Sequence, residues 1–206
     1  MNAMRTSYSL TQRVLHWVMA ALILAMLFIG VGMVATVSGK HQWLLAIHKP
    51  LGIAILLLAI VRLFVRLRNP SPPLPSDLPG LQRIAAHLSH WLLYALMIAM
   101  PLLGWAMLSA GGSPVMLASD LRLPAILPEN ALAFAWLRTA HGVLAYLLFF
   151  VFLAHLGAAL YHALIRRDGV LRSMLGAARS RAEPASPDDR ACSVGIGDPI
   201  APTDEA

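Results

Sequence analysis

The stretch "WLRTAHGVLAYLLFFVFLAHLGAALYHALIRR" extends from Trp136 to Arg167 and decides the fold class of this chain. Its central part, residues 137–165, is long and apolar enough for a membrane-spanning helix, which needs about 20 mostly apolar residues. It nevertheless carries three histidines, His141, His155 and His162. Because ionisable side chains are costly inside a membrane, we expect these histidines to have a functional role.

Three further segments have the same apolar character and length. They predict membrane-spanning helices over residues 14–37, 42–65 and 84–109, with kinks at Pro50 and Pro101. These runs are too long for strands and lack a period of two residues. The predicted fold class is therefore all-α, an integral membrane four-helix transmembrane bundle, formed by residues 1–178 as a single domain. The first span is interpreted as retained, because no small-residue cleavage site follows it.

Composition supports this class. Of 206 residues, 58% are hydrophobic and 13% charged, whereas soluble domains are about 45–50% apolar and about 25% charged. The net charge of +6 does not indicate nucleic acid, because the basic residues lie mostly at the ends of apolar runs. The single cysteine, Cys192, excludes an intrachain disulfide or a thiolate metal site, and its role is not assigned.

The segments outside the spans have distinct compositions. Residues 69–80 form a proline-rich connector that we do not expect to be helical, and residues 110–135 form a longer connector at the membrane interface. Residues 179–206 contain few large apolar side chains and are predicted to be a disordered tail. Lys and Arg are concentrated at one side of the spans, which predicts that both termini and the 66–83 connector are cytoplasmic.

The histidines sort into two depths. We name His16 and His155 the inner layer and His48 and His141 the outer layer, after the side of the membrane predicted for each. Two imidazoles that face each other from different helices are the axial ligands of a bis-histidine haem. Each layer is therefore predicted to bind one haem iron.

The spacing on the fourth span supports two stacked haems. His141 and His155 are 14 residues apart, which is about four helical turns and about 21 Å along one face. A porphyrin lying against a helix also needs small residues near its ligand, on the same face. Such residues stand four positions after each predicted ligand, with one more at the depth of the outer layer: Ala20, Gly52, Ala145, Ala159 and Gly30.

Other interpretations of these residues remain open. A lone histidine in a membrane helix is often an interhelical hydrogen-bonding residue, and zinc would need about four ligands that converge on one point. His87, His90 and His162 lie nearer the cytoplasm and are candidates for a quinone site or a proton path, or ordinary interfacial polar residues. Arg62 and Arg66 could bind haem propionates or anionic lipid headgroups.

Several motifs resemble the bacterial cytochrome b561 family. They are "YSLTQRVLHW" (8–17), "HKPLGIAILLLAIVRLFVRLRNPSPP" (48–73), "HLSHWLLYALMIAMPLLGW" (87–105) and "WLRTAHGVLAYLLFFVFLAHLGAALYH" (136–162). The resemblance covers roughly residues 8–175. It implies a four-helix cytochrome of the bacterial inner membrane with two haems b. It also implies the pairing of His16 with His155 and of His48 with His141, which agrees with the depths.

The resemblance further implies an oxidoreductase that oxidises superoxide at the outer face and reduces ubiquinone. Positive charge would then steer the anion, and four residues are candidates for this, against Asp120 and Glu129: Lys40, Lys49, Arg122 and Arg138. Two alternatives stay open. One is a non-catalytic electron-transfer or anchor subunit for a respiratory dehydrogenase or another redox partner, and the other is a haem-free helical bundle.

Overall fold

A computed structural model describes residues 7–69, 78–113, 115–117 and 121–176, and this part of the chain is built from helices. The helices are α1 (Leu10–Ala35), α2 (Gly39–Arg68), α3 (Gly80–Ala110), α4 (Ala131–Leu160) and α5 (Val170–Leu175), with a π-helical turn over Tyr161–Arg166 between the last two. Four of these elements are long and apolar enough to cross a membrane, counting α4 together with the π turn. The prediction of an all-α chain with four such helices is confirmed.

The helix ends differ from the predicted ones because capping residues set them. Helix α1 begins at Leu10, where Ser9 and Gln12 form a capping box that satisfies two backbone N–H groups. Helix α4 begins at Ala131 rather than at 137, because the Asn130 side chain accepts a hydrogen bond from the backbone N–H of Ala133 at 2.9 Å. Each helix is therefore longer than its apolar stretch.

Helices α2 and α3 continue through Pro50 and Pro101. Membrane helices tolerate internal proline because neighbouring groups satisfy the freed backbone carbonyls. Most of the predicted 69–80 connector, the 179–206 tail and Cys192 lie outside the described residues, so their interpretation stays a prediction.

The apolar core is built by the first three helices. Its buried side chains are Met19 and Ile23 of α1, Ile55 and Ala59 of α2, and Tyr94 and Met97 of α3. Backbone packing is extensive between α1 and α2, between α2 and α3, and between α3 and α4. Helix α4 does not pack extensively along α1 or α2, and Leu148 is its buried residue. Helix α4 therefore packs mainly on α3 and reaches the core of the first three helices through the side chain of Phe152.

The connector between α3 and α4 folds back over the end of α3. The Trp105 indole N–H donates to the carbonyl of Pro124 at 2.9 Å, and the Ile126 backbone N–H donates to the Ser109 hydroxyl at 3.2 Å. The backbone N–H of Asn130 donates to the carbonyl of Ala110 at 2.9 Å. These bonds hold the start of α4 beside the end of α3.

The other end of α4 is closed by a reversal of the chain. The π turn over Tyr161–Arg166 is followed by two residues with positive φ, Arg167 at 52° and Gly169 at 84°. Glycine adopts this conformation without the steric penalty that other residues meet. Helix α5 then returns to α1, where the Trp17 indole N–H donates to the carbonyl of Met174 at 3.3 Å.

Candidate functional site

The structure brings the four predicted ligands together as two pairs, each with one ring on α4. In the inner layer, the rings of His16 on α1 and His155 on α4 have centroids 6.3 Å apart and planes at 60°. In the outer layer, the rings of His48 on α2 and His141 on α4 have centroids 6.2 Å apart and planes at 64°. The inner pair thus links α4 to α1 and the outer pair links α4 to α2, although α4 does not pack extensively along either helix.

These spacings fit an iron between each pair of rings. A bond between a metal and an imidazole nitrogen is about 2 Å long, so two imidazoles on opposite sides of one metal have centroids about 6 Å apart. In the outer layer, Nδ1 of His48 and Nδ1 of His141 are buried, and among the described residues neither makes a hydrogen bond of good geometry, although the His141 ring interacts with the backbone of Met100 on α3. Buried polar atoms normally have a hydrogen-bond partner. The interhelical hydrogen-bonding interpretation therefore stays open for His141, beside Met100 of α3, and has no support for Nδ1 of His48 among the described residues.

Small residues line the helices next to these rings. All five of the predicted small positions are half-buried: Ala20, Gly30, Gly52, Ala145 and Ala159. A Cβ atom on Gly30 would meet no heavy atom within 4 Å, so this position borders open space. A Cβ on Gly52 would make ordinary contacts with the side chains of Met26 and Pro101, at 3.9 and 4.0 Å. Gly30 therefore leaves room on α1, and its role beside an outer haem stays a prediction.

Gly104 of α3 is a site residue that the sequence did not reveal. A Cβ atom at this position would stand 3.3 Å from Cε1 of His141, which is tighter than most real Cβ contacts. The glycine therefore lets the imidazole approach the backbone of α3. No sequence signal could show this, because the contact joins residues from two helices.

The inner layer has polar neighbours. The guanidinium of Arg62 donates to Nδ1 of His16 at 2.8 Å, and the ring of His90 on α3 lies 5.3 Å from the ring of His155. The Arg62 guanidinium also lies over the ring of Tyr94, at 5.5 Å from its centroid. Tyr94, which the sequence analysis did not single out, could have been found one turn after His90 on the same face.

His87 and His162, the other two candidates for a quinone or proton role, lie apart from the paired rings. The side chain of His87 is exposed on α3. Nδ1 of His162 is 2.5 Å from the carboxylate of Asp168, which also lies 3.4 Å from Nε of Arg166. The partner Asp168 was not predicted, because Asp168-Gly169 indicates only a turn, and the π turn that brings Asp168 to His162 has no sequence signal.

The ionisation of Asp168 reflects these contacts. Partial burial opposes the charged carboxylate, but the hydrogen bond from His162 and that from the backbone N–H of Val170 act in the other direction. Together with the positive charge of Arg166, they hold the pKa of Asp168 below its ordinary value of 3.8. A charged carboxylate therefore stands beside His162 at neutral pH.

The four predicted anion-steering residues are distributed over α2, α4 and the connector after α3. Lys40 and Lys49 lie on α2 and Arg138 lies on α4, with Lys49 half-buried and the other two exposed. Arg122, on the connector after α3, lines a cavity of about 210 Å³ together with Trp105, Ser109 and Glu129. Of the four, Arg122 is thus placed at a surface cavity.

A zinc site would require a different arrangement. In the part of the chain that the structure describes, no three His, Cys, Asp or Glu side chains are placed to hold a metal ion. Each layer instead offers two opposed imidazoles, which is the number that axial ligation of a haem iron needs.

Comparisons with known proteins agree on one family. A sequence model described as prokaryotic cytochrome b561 matches residues 7–177. A protein of Yersinia pestis named "Probable superoxide oxidase CybB" is 33% identical over 174 residues, which cover 84% of this chain and 97% of that protein. Two proteins of Escherichia coli K12, "Cytochrome b561 homolog 2" and "Cytochrome b561 homolog 1", are each 30% identical, over 84% and 82% of this chain and 93% and 96% of their own lengths.

The contact between Asp168 and His162 predicts a pH-dependent contribution to stability. Because the folded-state pKa of Asp168 is lowered, its contribution is present above the unfolded-state value and lost as the pH falls through the folded-state value. Asp168→Asn should therefore lower the midpoint of thermal unfolding near neutral pH. Its difference from the wild-type chain should persist down to about pH 5 and shrink as the pH falls through 3.8 towards the lowered folded-state value.

The matched control is Glu129→Gln, a neutralised carboxylate on the exposed connector after α3. It should leave the midpoint nearly unchanged over the same range. A difference between Asp168→Asn and wild type that stays constant on acidification would contradict the account.

Proposed function

Because the chain belongs to the prokaryotic cytochrome b561 family, a family of membrane cytochromes b, we propose that it carries electrons across the inner membrane through two b-type haems. We further propose that it oxidises superoxide at the periplasmic face and reduces ubiquinone. The observation that carries the proposal is the pair of opposed imidazoles in each layer, with ring centroids 6.3 and 6.2 Å apart.

In this proposal His16 and His155 hold one haem iron, and His48 and His141 hold the other. The haems supply centres that accept and release one electron each. The residues of the chain set the distance and orientation of the two centres, because both α4 ligands lie on one helical face about four turns apart. Small residues on this side of α1, α2 and α4 leave room for the macrocycles, and the apolar helices exclude water.

The direction across the membrane follows from Lys and Arg. The basic residues that flank the spans favour cytoplasmic N- and C-termini, with the connector between α3 and α4 in the periplasm. The outer layer then faces the periplasm. Arg122 at the cavity beside the connector, with Lys40, Lys49 and Arg138, raises the local concentration of an anion such as superoxide. The relative from Yersinia pestis is named a probable superoxide oxidase, which supports this donor.

Reduction of a quinone at the inner layer requires protons as well as electrons. Two superoxide anions give up two electrons and leave as two molecules of dioxygen, while one quinone takes up these electrons and two protons to become a quinol. An imidazole can deliver a proton near neutral pH. His90 lies 5.3 Å from the ring of His155, and His162 is paired with Asp168 at the end of α4. We assign proton delivery to these two side chains, with His87 at the exposed start of the path.

The activity can be tested with the purified full-length chain in detergent. Superoxide generated enzymatically should be consumed faster than it dismutates, with reduction of a short-chain ubiquinone at one quinol per two superoxide anions. Added superoxide dismutase should suppress the quinol signal. Consumption at the dismutation background by a preparation that contains haem would refute superoxide oxidation and favour an electron-transfer subunit for another redox partner.

The ligand assignment predicts a distinct result for each layer. His155→Ala should remove the inner haem and His141→Ala the outer haem, so each variant should retain about half of the wild-type haem, because bis-histidine ligation needs both imidazoles. The measurement is the pyridine haemochrome content per chain, and the double variant should contain no haem. His87→Ala, which changes an exposed histidine, is the control. Two haems per chain in either single variant would contradict the pairing.

Gly104 offers a finer test of the outer layer. Gly104→Ala places a Cβ atom 3.3 Å from the His141 ring and should displace it by a few tenths of an ångström, so that ligation of the outer haem weakens. The measurement is the low-spin electron paramagnetic resonance signal of that haem, which should shift or lose intensity. Gly142→Ala is the matched control, because its Cβ would meet no atom within 4 Å although it adjoins His141. Equal spectra for the two variants would contradict the positioning role.

A further inference from the structure

The two histidine layers differ in charge. In the inner layer, the guanidinium of Arg62 is in direct contact with the ligand candidate His16, at 2.8 Å from its Nδ1. The rings of His16 and His90 lie 6.3 and 5.3 Å from the ring of His155, so the three imidazoles of this region cluster beside this cation. A single fixed cation therefore stands within electrostatic reach of every imidazole around the inner layer.

A second guanidinium supports the first. Arg66 lies one turn further along α2, and its guanidinium is 5.4 Å from the ring centroid of Tyr94 and 5.9 Å from that of Trp91. Tyr94 lies under both guanidinium groups, since Arg62 is 5.5 Å from the same ring. Cations over aromatic faces are held by the ring quadrupole. The two positive charges are thus kept beside the inner layer by α3.

No carboxylate of the described residues neutralises these charges. The described part of the chain contains two acidic residues, Glu129 and Asp168. Asp168 contacts His162 and Arg166, and Glu129 lies on the connector at the other end of the bundle, against Gly112. The positive charge at Arg62 and Arg66 is therefore available to whatever binds at the inner layer.

The outer layer has apolar neighbours instead. Met26 and Pro101 approach Gly52, and the backbone of α3 at Gly104 approaches His141. Two basic residues, Arg138 and Lys49, are close in sequence to the outer histidines His141 and His48. Arg138 is exposed, so water screens it, and Lys49 leaves α2 at about 100° from the neighbouring His48. Among the described contacts, neither of these side chains reaches a ring of the outer layer as Arg62 reaches His16.

We propose that Arg62, supported by Arg66, makes the inner layer the electron-accepting end of the molecule, by giving the haem held there the higher midpoint potential. The proposal rests on the function proposed above. Adding one electron to an iron centre lowers its charge by one, and a nearby fixed cation stabilises that reduced state. This stabilisation is larger in the low-dielectric interior of a membrane bundle than in water. One electron then moves from the outer to the inner haem, with no bond formed or broken.

Arginine suits this role better than lysine. A guanidinium is not deprotonated in proteins, whereas a buried ammonium readily loses its proton. The charge at Arg62 is therefore constant, and it gives electron flow a direction that does not depend on the identity of the donor. The expected fall in midpoint potential does not require Arg62 to be unpaired. If Arg62 is paired with a carboxylate of the haem, its removal leaves that negative charge without a counter-charge. The negative charge then destabilises the reduced state of the haem.

The test is an anaerobic redox titration of Arg62→Gln in the His141→Ala background, which should retain the inner haem alone. The equilibrium constant for electron binding should fall at least about tenfold, which is about 59 mV for one electron. Arg62→Lys should keep a higher potential than Arg62→Gln at low pH and lose this difference as the pH rises, because a buried ammonium loses its proton more readily than a guanidinium. Arg68→Gln is the matched control, because Arg68 is exposed at the end of α2 with its guanidinium over Phe64. It should change the constant by less than about twofold.

Each possible result decides whether Arg62 raises the midpoint potential of the inner haem. An unchanged potential in Arg62→Gln would overturn the inference. A raised potential would also overturn it, because Arg62 would then act by holding a deprotonated, more electron-donating His16. If Arg62→Gln loses the inner haem, Arg66→Gln decides instead, since Arg66 does not touch His16, and a smaller shift in the same direction is expected. If the parent His141→Ala chain retains no haem or two haems, that result would contradict the proposed function and not this inference.

Discussion

The structure depends on two pairs of imidazole rings that face each other inside an apolar bundle. Helix α4 packs on α3 but not extensively on α1 or α2, and it meets those two helices where His16 faces His155 and His48 faces His141. Such rings, which include a buried Nδ1 of His48 without a partner among the described residues, are costly in a low-dielectric interior. A group that binds both rings of a pair offsets this cost and joins α4 to the rest of the bundle. Cofactor binding and completion of the fold are therefore coupled in our account.

In the proposed function, the same arrangement would separate electron entry from proton-coupled reduction along the membrane normal. The outer layer has apolar neighbours, and the connector after α3, with Arg122 at a cavity, lies at that end of the bundle. The inner layer has a third imidazole, two guanidinium groups and, at the end of α4, the pair of His162 and Asp168. Proton-coupled reduction needs titratable groups and electron transfer alone does not, which is consistent with the proposed direction from the outer to the inner layer.

Much of this architecture could be predicted from the sequence, because membrane spans and helical periodicity are local signals. The four helices and the face shared by His141 and His155 follow from hydropathy and from 3.6 residues per turn. The residues that the sequence did not reveal act through long-range contacts. Gly104 matters because of a ring on α4, and Arg62 was recognised without its contact to His16. Asp168 reaches His162 through a π turn and left-handed residues that no periodicity encodes.

The central claim is that each layer of paired histidines binds one b-type haem. Its most direct test is the haem stoichiometry of the purified wild-type chain, combined with low-temperature electron paramagnetic resonance of the oxidised form. Our account predicts two haems b per chain and two distinct low-spin signals of bis-histidine type, one from each layer. A single haem per chain, or a high-spin signal from either centre, would contradict it.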